Sequence, residues 1–222
     1  MSFAVHALQD PTSAQITELV QLCVEAYGKE DISLKTLVGG NDLSLLDAFF
    51  GASIRAGALG GKLYVATEAA DTSVIRGMAL WYGPGAESFS TEEEREKLLV
   101  FTSRLSPEAQ EWHRTVYRLG FRNLTEKLLG RRGKLDSWYL TLLAVDPRHQ
   151  RLGTARALID AVRVQANGSE LTLAATNELN VGIYRRLGFR VRGGMTMSGS
   201  QGDFPVFVLS WQNDTEGSGE GA

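Results

Sequence analysis

Two short segments of this chain carry residue types and spacings that can do chemistry. The first, Gln150-Arg151-Leu152-Gly153-Thr154-Ala155, follows an apolar run at 142–145 and an Asp146-Pro147 turn, then opens directly into a helical pattern. A glycine loop at a helix start presents unpaired backbone N–H groups where the helix dipole also favours negative charge. A phosphate or pyrophosphate is its natural guest. Gly153 permits close backbone approach, and the small Ala155 does nearly the same. The spacing is neither the GxGxxG of a dinucleotide site nor the Gly-Lys-Ser/Thr of a P-loop. Arg151 or Arg156 adds either a charge-assisted bond to such a guest or only a solvated surface charge. Gln150 reads as an amide that positions the loop. The second segment is Asn177-Glu178-Leu179-Asn180-Val181-Gly182-Ile183-Tyr184, closed by Leu187-Gly188-Phe189. It reads as a helix with one tyrosine hydroxyl, in which Asn177 is an N-cap, a ligand or both.

In order along the chain, Val-x-Pro, Gln-Arg-x-Gly-x-Ala, a helix, a strand, Asn-x-x-Asn-x-x-x-Tyr and Leu-Gly-Phe resemble the acyl-CoA-binding core of the GNAT superfamily of N-acetyltransferases. The motifs cover about residues 138–191. The resemblance implies that backbone amides around Arg151, Gly153, Thr154 and Ala155, with Gln150 beside them, hold the coenzyme pyrophosphate. It implies that Leu143 and Val145, at the splayed end of the central strand, make main-chain contacts to the pantetheine arm and polarise the thioester. Asn177 and Asn180 become coenzyme or helix-start ligands, and Tyr184 the acid that protonates the departing thiolate. The reaction implied is acyl-CoA-dependent N-acyl transfer. Acetyl-CoA is the default co-substrate, no metal takes part, and a primary amine attacks directly. Members of the family often carry a glutamate base on the central strand, but residues 137–145 contain none and no base is assigned. His6, His113 and His149 read as bystanders, His149 on an exposed turn. The second motif looks most like the branch holding fungal GNATs and puromycin-type antibiotic acetyltransferases, which favours a small-molecule amine. Two alternatives stand beside it: a protein lysine or N-terminal acetyltransferase, and a non-catalytic acyl-CoA-binding module, which would be expected to have lost Tyr184.

The elements that must position these residues follow from periodicity. A strand at 3–8 precedes a helix started by Asp10-Pro11-Thr12-Ser13, with Ile16, Leu19, Val20, Cys23, Val24 and Tyr27 on one face and Gly28 as its stop. Gly39-Gly40-Asn41-Asp42 starts a second helix carrying Leu43, Leu46, Phe49, Phe50 and Ile54. Strands at 62–68 and 74–82 flank the turn Ala70-Asp71-Thr72-Ser73. Residues 83–133 read as a helical insertion. A capping box at Ser90-Thr91-Glu92-Glu93 starts one helix over 91–103, and Ser106-Pro107 starts another over 107–129. Strand 137–145, helix 154–166, strand 170–175, helix 178–187 and strands 190–197 and 204–211 complete the chain. The fold class implied is α/β (α+β), the GNAT fold. A central mixed, mostly antiparallel twisted sheet is flanked by helices, with the insertion between its third and fourth strands. Residues 1–212 form a single domain and 213–222, without apolar residues beyond alanine, a disordered tail.

Composition excludes several classes. The 222 residues suit one large domain; the net charge of −3, without a Lys/Arg run, gives no reason to expect nucleic acid or an anionic membrane as partner. Cys23 is the single cysteine, so no internal disulfide is possible, and its apolar neighbours mark it as a buried small residue. No basic leader or membrane-length apolar run is evident, which favours the cytoplasm. The remaining partner expected is a second copy or none, a homodimer or a monomer.

Overall fold

The helix-forming half of the N-terminal region begins with a reciprocal cap. In the computed structural model, which describes residues 3–28, 30–40, 43–69 and 71–212, β1 (Phe3–Ala7) leads into α1 (Ser13–Tyr27). The Thr12 hydroxyl accepts the Gln15 N–H, and the Gln15 side chain accepts the Thr12 N–H. The stripe facing inward is Leu19, Val20, Leu22 and Cys23. Cys23 sits in the core with its sulfur 3.3 Å from that of Met78, and burial pushes its thiol pKa up, as suits an inert apolar residue. A short helix, α2 (Ile32–Leu37), then intervenes where no helix was expected. At six residues it is too brief for periodicity to reveal. α3 (Leu46–Gly60) follows a single 3-10 turn at Leu43–Leu45. By length and a mean hydropathy of 1.2, the stretch Leu43–Gly60 is apolar enough to cross a membrane, contrary to the expectation of no such run. Its apolar face is spent on the core, where Leu46, Phe50 and Ile54 are at most 1% exposed. Burying each of these side chains contributes about 1.5–3 kcal/mol.

β2 (Lys62–Glu68) and β3 (Asp71–Tyr82) form the expected hairpin, but β3 begins three residues early: Glu68 pairs with Asp71, so Asp71, Thr72 and Ser73 belong to the strand and not to the turn. The insertion opens with α4 (Glu92–Thr102), capped one residue later than the sequence suggested. Thr91 accepts the Glu94 N–H, while the Glu94 carboxylate, 1% exposed, accepts the Ser90 N–H. The single helix expected over 107–129 is α5 (Pro107–Trp112) and α6 (Arg118–Leu129), joined by one wider π turn at His113–Tyr117. β4 (Trp138–Val145), α7 (Thr154–Gln165), β5 (Leu171–Ala175), α8 (Glu178–Arg186), β6 (Arg190–Met197) and β7 (Phe204–Trp211) follow. Of the expected features, Asn41, Asp42, Ala70 and the tail 213–222 lie outside the described residues.

The seven strands run in the order β1-β2-β3-β4-β5-β7-β6. Every neighbouring pair is antiparallel except β4 and β5, which are parallel. This is the mixed, mostly antiparallel sheet that the sequence implied, with the insertion between the third and fourth strands. Alternation gives the sheet two faces. On one, α1, α3 and α4 pack over Leu63, Val65, Met78, Leu80, Leu142 and Ala144. The same face continues over β5–β7, where α6 covers Ala174, Val206 and Val208. On the other, α7 and α8 pack over Ala79, Trp81, Leu140, Leu173 and Leu209.

Candidate active site

β4 carries one residue more than β3 can pair. Leu80 lies opposite Leu142 but Trp81 opposite Leu140, so Thr141 is a bulge. A bulge bends its strand and sharpens the local twist. Here it coincides with the end of the β4–β5 ladder: Trp138, Tyr139 and Leu140 pair with Leu171, Thr172 and Leu173, and the pairing stops there. Residues 141–145 therefore border a gap between two parallel strands. The Leu143 N–H points into it and donates to the Tyr27 hydroxyl at 3.3 Å. By strand alternation the Val145 amide turns the same way. The Thr141 hydroxyl is buried with no hydrogen-bond partner, an arrangement that costs free energy unless something else fills the bond. Backbone donors and an orphaned hydroxyl in one slot can hold an extended amide-bearing arm and polarise a carbonyl.

Past β4 the chain turns on Asp146. Its carboxylate, 3% exposed, accepts the Arg148 N–H and guanidinium at 3.0 Å each and Arg76 at 3.3 Å. Arg148 beside it holds the carboxyl down from 3.8 to about 2. His149 folds under the same turn, its Nδ1 3.1 Å from Asp146, instead of standing exposed as expected. The acid draws the ring inward. Arg151 (φ 62°) and Gly153 (φ 91°) then adopt left-handed backbone, which aims amides to one side of the loop. No side chain caps α7, whereas α1, α2, α4, α5 and α8 each have a side-chain cap. The amides of Thr154, Ala155 and Arg156 are left for an outside acceptor. A Cβ added at Gly153 would meet nothing within 4 Å, so the space before it is open. The Thr154 side chain packs inward, close to Gly77, leaving its backbone as what it offers. Arg156 donates to the Arg186 carbonyl at 3.0 Å. Gln150 and Arg151 are exposed, and neither makes a hydrogen bond or ion pair with the described residues.

The second segment is where the sequence put it. Asn177 caps α8 by accepting the Asn180 N–H at 2.8 Å, and its amide donates to Asp31 at 2.9 Å. Both ends of this side chain are thus in use, which favours the cap over the ligand among its two readings. The Asn180 amide is half-buried and makes no side-chain hydrogen bond to the described residues. Tyr184 packs edge-on against Phe189 with centroids 5.8 Å apart, and its hydroxyl makes no such bond either. Burial pushes its pKa up. Tyr27 is likewise raised, first by burial and then by the neighbouring Tyr184. Both phenols keep their protons at neutral pH, and the two lie close across the gap.

On the face opposite α7 and α8, α2 lies between the end of β5 and the insertion. Asp31 ties the start of α2 to the end of β5 through Asn177, and the Ser33 hydroxyl, which donates to Asp31, accepts that of Thr176 at 2.8 Å. At the other end of α2 the His113 Nε2 lies 2.7 Å from the Leu37 carbonyl oxygen. The rings of Trp112, His113, Tyr117, Phe121 and Tyr139 succeed one another at 5.3–6.5 Å. Burial pushes up Tyr117 and Tyr139 also. Sequence reading missed Tyr27, Asp31 and the bulge. Tyr27 fits the apolar stripe of α1 and so read as core. Asp31-Ile32-Ser33-Leu34 has the form of a helix start and was the available signal for α2. Among the described residues no group of three or more His, Cys, Asp or Glu is placed to hold a metal ion.

A sequence-family model described as an acetyltransferase (GNAT) domain matches residues 90–198. No curated protein sequence matches the chain. Several solved structures share its architecture along nearly the whole length. A structure described as histone acetyltransferase HPA2 and related acetyltransferase, from Corynebacterium glutamicum, is 21% identical; the match covers 95% of this chain and 96% of that one, with a TM-score of 0.64. The mosquito arylalkylamine N-acetyltransferase like 5b is 13% identical over 96% and 100% of the two chains, at 0.62. The Salmonella typhimurium protein yncA, solved with its cofactor acetyl-CoA, is 13% identical over 99% of each, at 0.52. At these identities the likeness is one of fold.

Proposed function

This chain carries a GNAT acetyltransferase domain in a GNAT fold, and from that premise we propose that it transfers the acetyl group of acetyl-CoA to the primary amine of a small molecule by direct attack. The observation that carries the reading is the bulge-made gap, with the Leu143 N–H inside it and the uncapped start of α7 at its end. The free amides at Gly153, Thr154 and Ala155, with Arg151 and Gln150 beside them, suit a pyrophosphate. The edge of β4 at Leu143 and Val145 suits the amide-bearing pantetheine arm, with the Thr141 hydroxyl and Asn180 amide available to it. In this reading the Leu143 N–H, held by Tyr27 in the free protein, turns to the thioester oxygen and stabilises the charge that develops there. The amine nitrogen bonds to the acyl carbon, the carbon–sulfur bond breaks, and the thiolate takes the Tyr184 proton. The nitrogen's surplus proton leaves to water, which returns a proton to Tyr184; no side chain is assigned as its acceptor.

A small amine is favoured over a protein substrate because α2 and the insertion stand on either side of the acceptor approach and narrow it. The arylalkylamine acetyltransferase among the similar folds accords with this. Acetyl-CoA should raise the melting temperature by several degrees at a hundredfold excess over its dissociation constant, an effect of about 2.7 kcal/mol. Release of free thiol with an amine panel would follow. An unchanged melting temperature with every acyl-CoA at millimolar concentration would remove the proposal.

A further inference from the structure

One half-buried carboxylate near the gap, that of Asp31, has no counter-charge among the described residues. Asp31 accepts hydrogen bonds from the Leu34 N–H at 3.0 Å, the Asn177 amide at 2.9 Å and the Ser33 hydroxyl. All three donors are neutral. No lysine, arginine or histidine among the described residues lies within ion-pair distance of it, although the acids nearby are matched: Glu30 with Lys35, Glu87 with Lys134, Asp146 with Arg76 and Arg148. Asp31 is half-buried. A partly desolvated charge fixed by neutral donors gains more from a cation than an exposed one does.

Its position gives that charge a use. Asp31 is joined to the end of β5 through Asn177, four residues beyond Tyr27, whose phenol feels its charge and reaches the Leu143 amide. It therefore stands at the mouth of the gap on the acceptor side. On the insertion side the Tyr117, Phe121 and Tyr139 rings follow one another, and the Lys134 ammonium, paired with Glu87, lies 4.6 Å from the Tyr139 centroid and 5.9 Å from that of Phe121.

We propose that Asp31 receives the ammonium group of the acceptor. The substrate class is then a primary amine that is cationic at neutral pH. The inference rests on the acetyl-transfer reading for its chemistry but not for its test. Asp31 is a docking group. The nucleophile is the fraction of bound amine that has given its surplus proton to water.

Two isomers separate charge from shape: 2-phenylethylamine, cationic at neutral pH, and 4-ethylaniline, uncharged there. Calorimetry with the protein saturated in coenzyme A should show the wild type binding the cation at least tenfold more tightly, with the preference weakened by salt. Asp31→Asn keeps a good helix cap. It should weaken the cation about tenfold, leave 4-ethylaniline within twofold, and leave acetyl-CoA affinity unchanged. Wild-type binding that does not favour the cation overturns the proposal, even should the variant fail to fold. So does an equal loss of both amines in a folded Asp31→Asn protein. Selective cation binding without thiol release from acetyl-CoA would uphold the Asp31 assignment and sink the transfer reading instead.

Discussion

Two phenols meet at the gap, and their bonding assigns them different parts. Tyr184 has an uncommitted hydroxyl kept protonated by burial, whereas Tyr27 is occupied with the Leu143 amide. Tyr184→Phe should therefore slow the maximal rate about ten- to a thousandfold, the range for loss of a general acid, with acetyl-CoA affinity intact. Tyr27→Phe should act earlier: it frees the Leu143 N–H, so acetyl-CoA should bind as well or better and the maximal rate should fall less than tenfold. Thiol release at saturating substrates and calorimetry on both variants decide this. Should the two effects be exchanged, Tyr27 is the acid. Sequence alone separated these residues poorly. Tyr184 came with a motif around it, while Tyr27 stood in a run of apolar helix positions where an aromatic ring needs no further reason.

The element that the coenzyme reading depends on most is the start of α7. Gly153 has φ 91° and open space before it, so Gly153→Ala forces a side chain both into a left-handed backbone and toward the ligand. The backbone strain should cost about 1 kcal/mol of stability and lower the melting temperature by a few degrees. Acetyl-CoA affinity should fall tenfold or more. A folded Gly153→Ala protein with unchanged affinity, measured by calorimetry, would leave the loop with a structural role only. At this scale most of the architecture was legible in the sequence. Strands 190–197 and 204–211 were read to the residue because their side chains alternate over eight residues, and helix 154–166 to within one because its apolar positions repeat for three turns. What escaped was short or irregular. α2 has too few turns to show a period. The π turn at His113–Tyr117 preserves a nearly helical pattern on either side of it. The cap of α4 slipped by one because Ser90 and Thr91 can both start a box with the glutamates that follow.

Across the molecule, the two faces of the sheet carry different helices: α7 and α8, with the two motifs, pack on one, and α1, α3, α4 and α6 on the other. In the proposed reading the first face serves the coenzyme and the second the acceptor. Within the insertion, α6 covers β5–β7 on the face away from α7 and α8. Asp146 secures the turn where β4 hands the chain from sheet to loop. Its carboxyl is lowered from 3.8 to about 2 in the folded protein, so on acidification the unfolded chain takes up the proton first. Its contribution, about 2 kcal/mol, is complete above about pH 4 and is lost as pH falls through about 2. Urea unfolding should find Asp146→Asn less stable than the wild type at neutral pH, with the difference shrinking toward about pH 3. A difference that stays constant with pH would assign the stabilisation to packing. The single surplus residue in β4 also fixes a parity. Because side chains alternate, Thr141 puts Tyr139 and Leu142, an odd and an even position, on the same side of the sheet. Remove that one residue and the strand ahead of it turns over: Trp138 and Leu140 would face the acceptor, Tyr139 would face away, and β4 could zip to β5. A chain one codon shorter at this point would thus have a plain, fully paired sheet where this one has a gap.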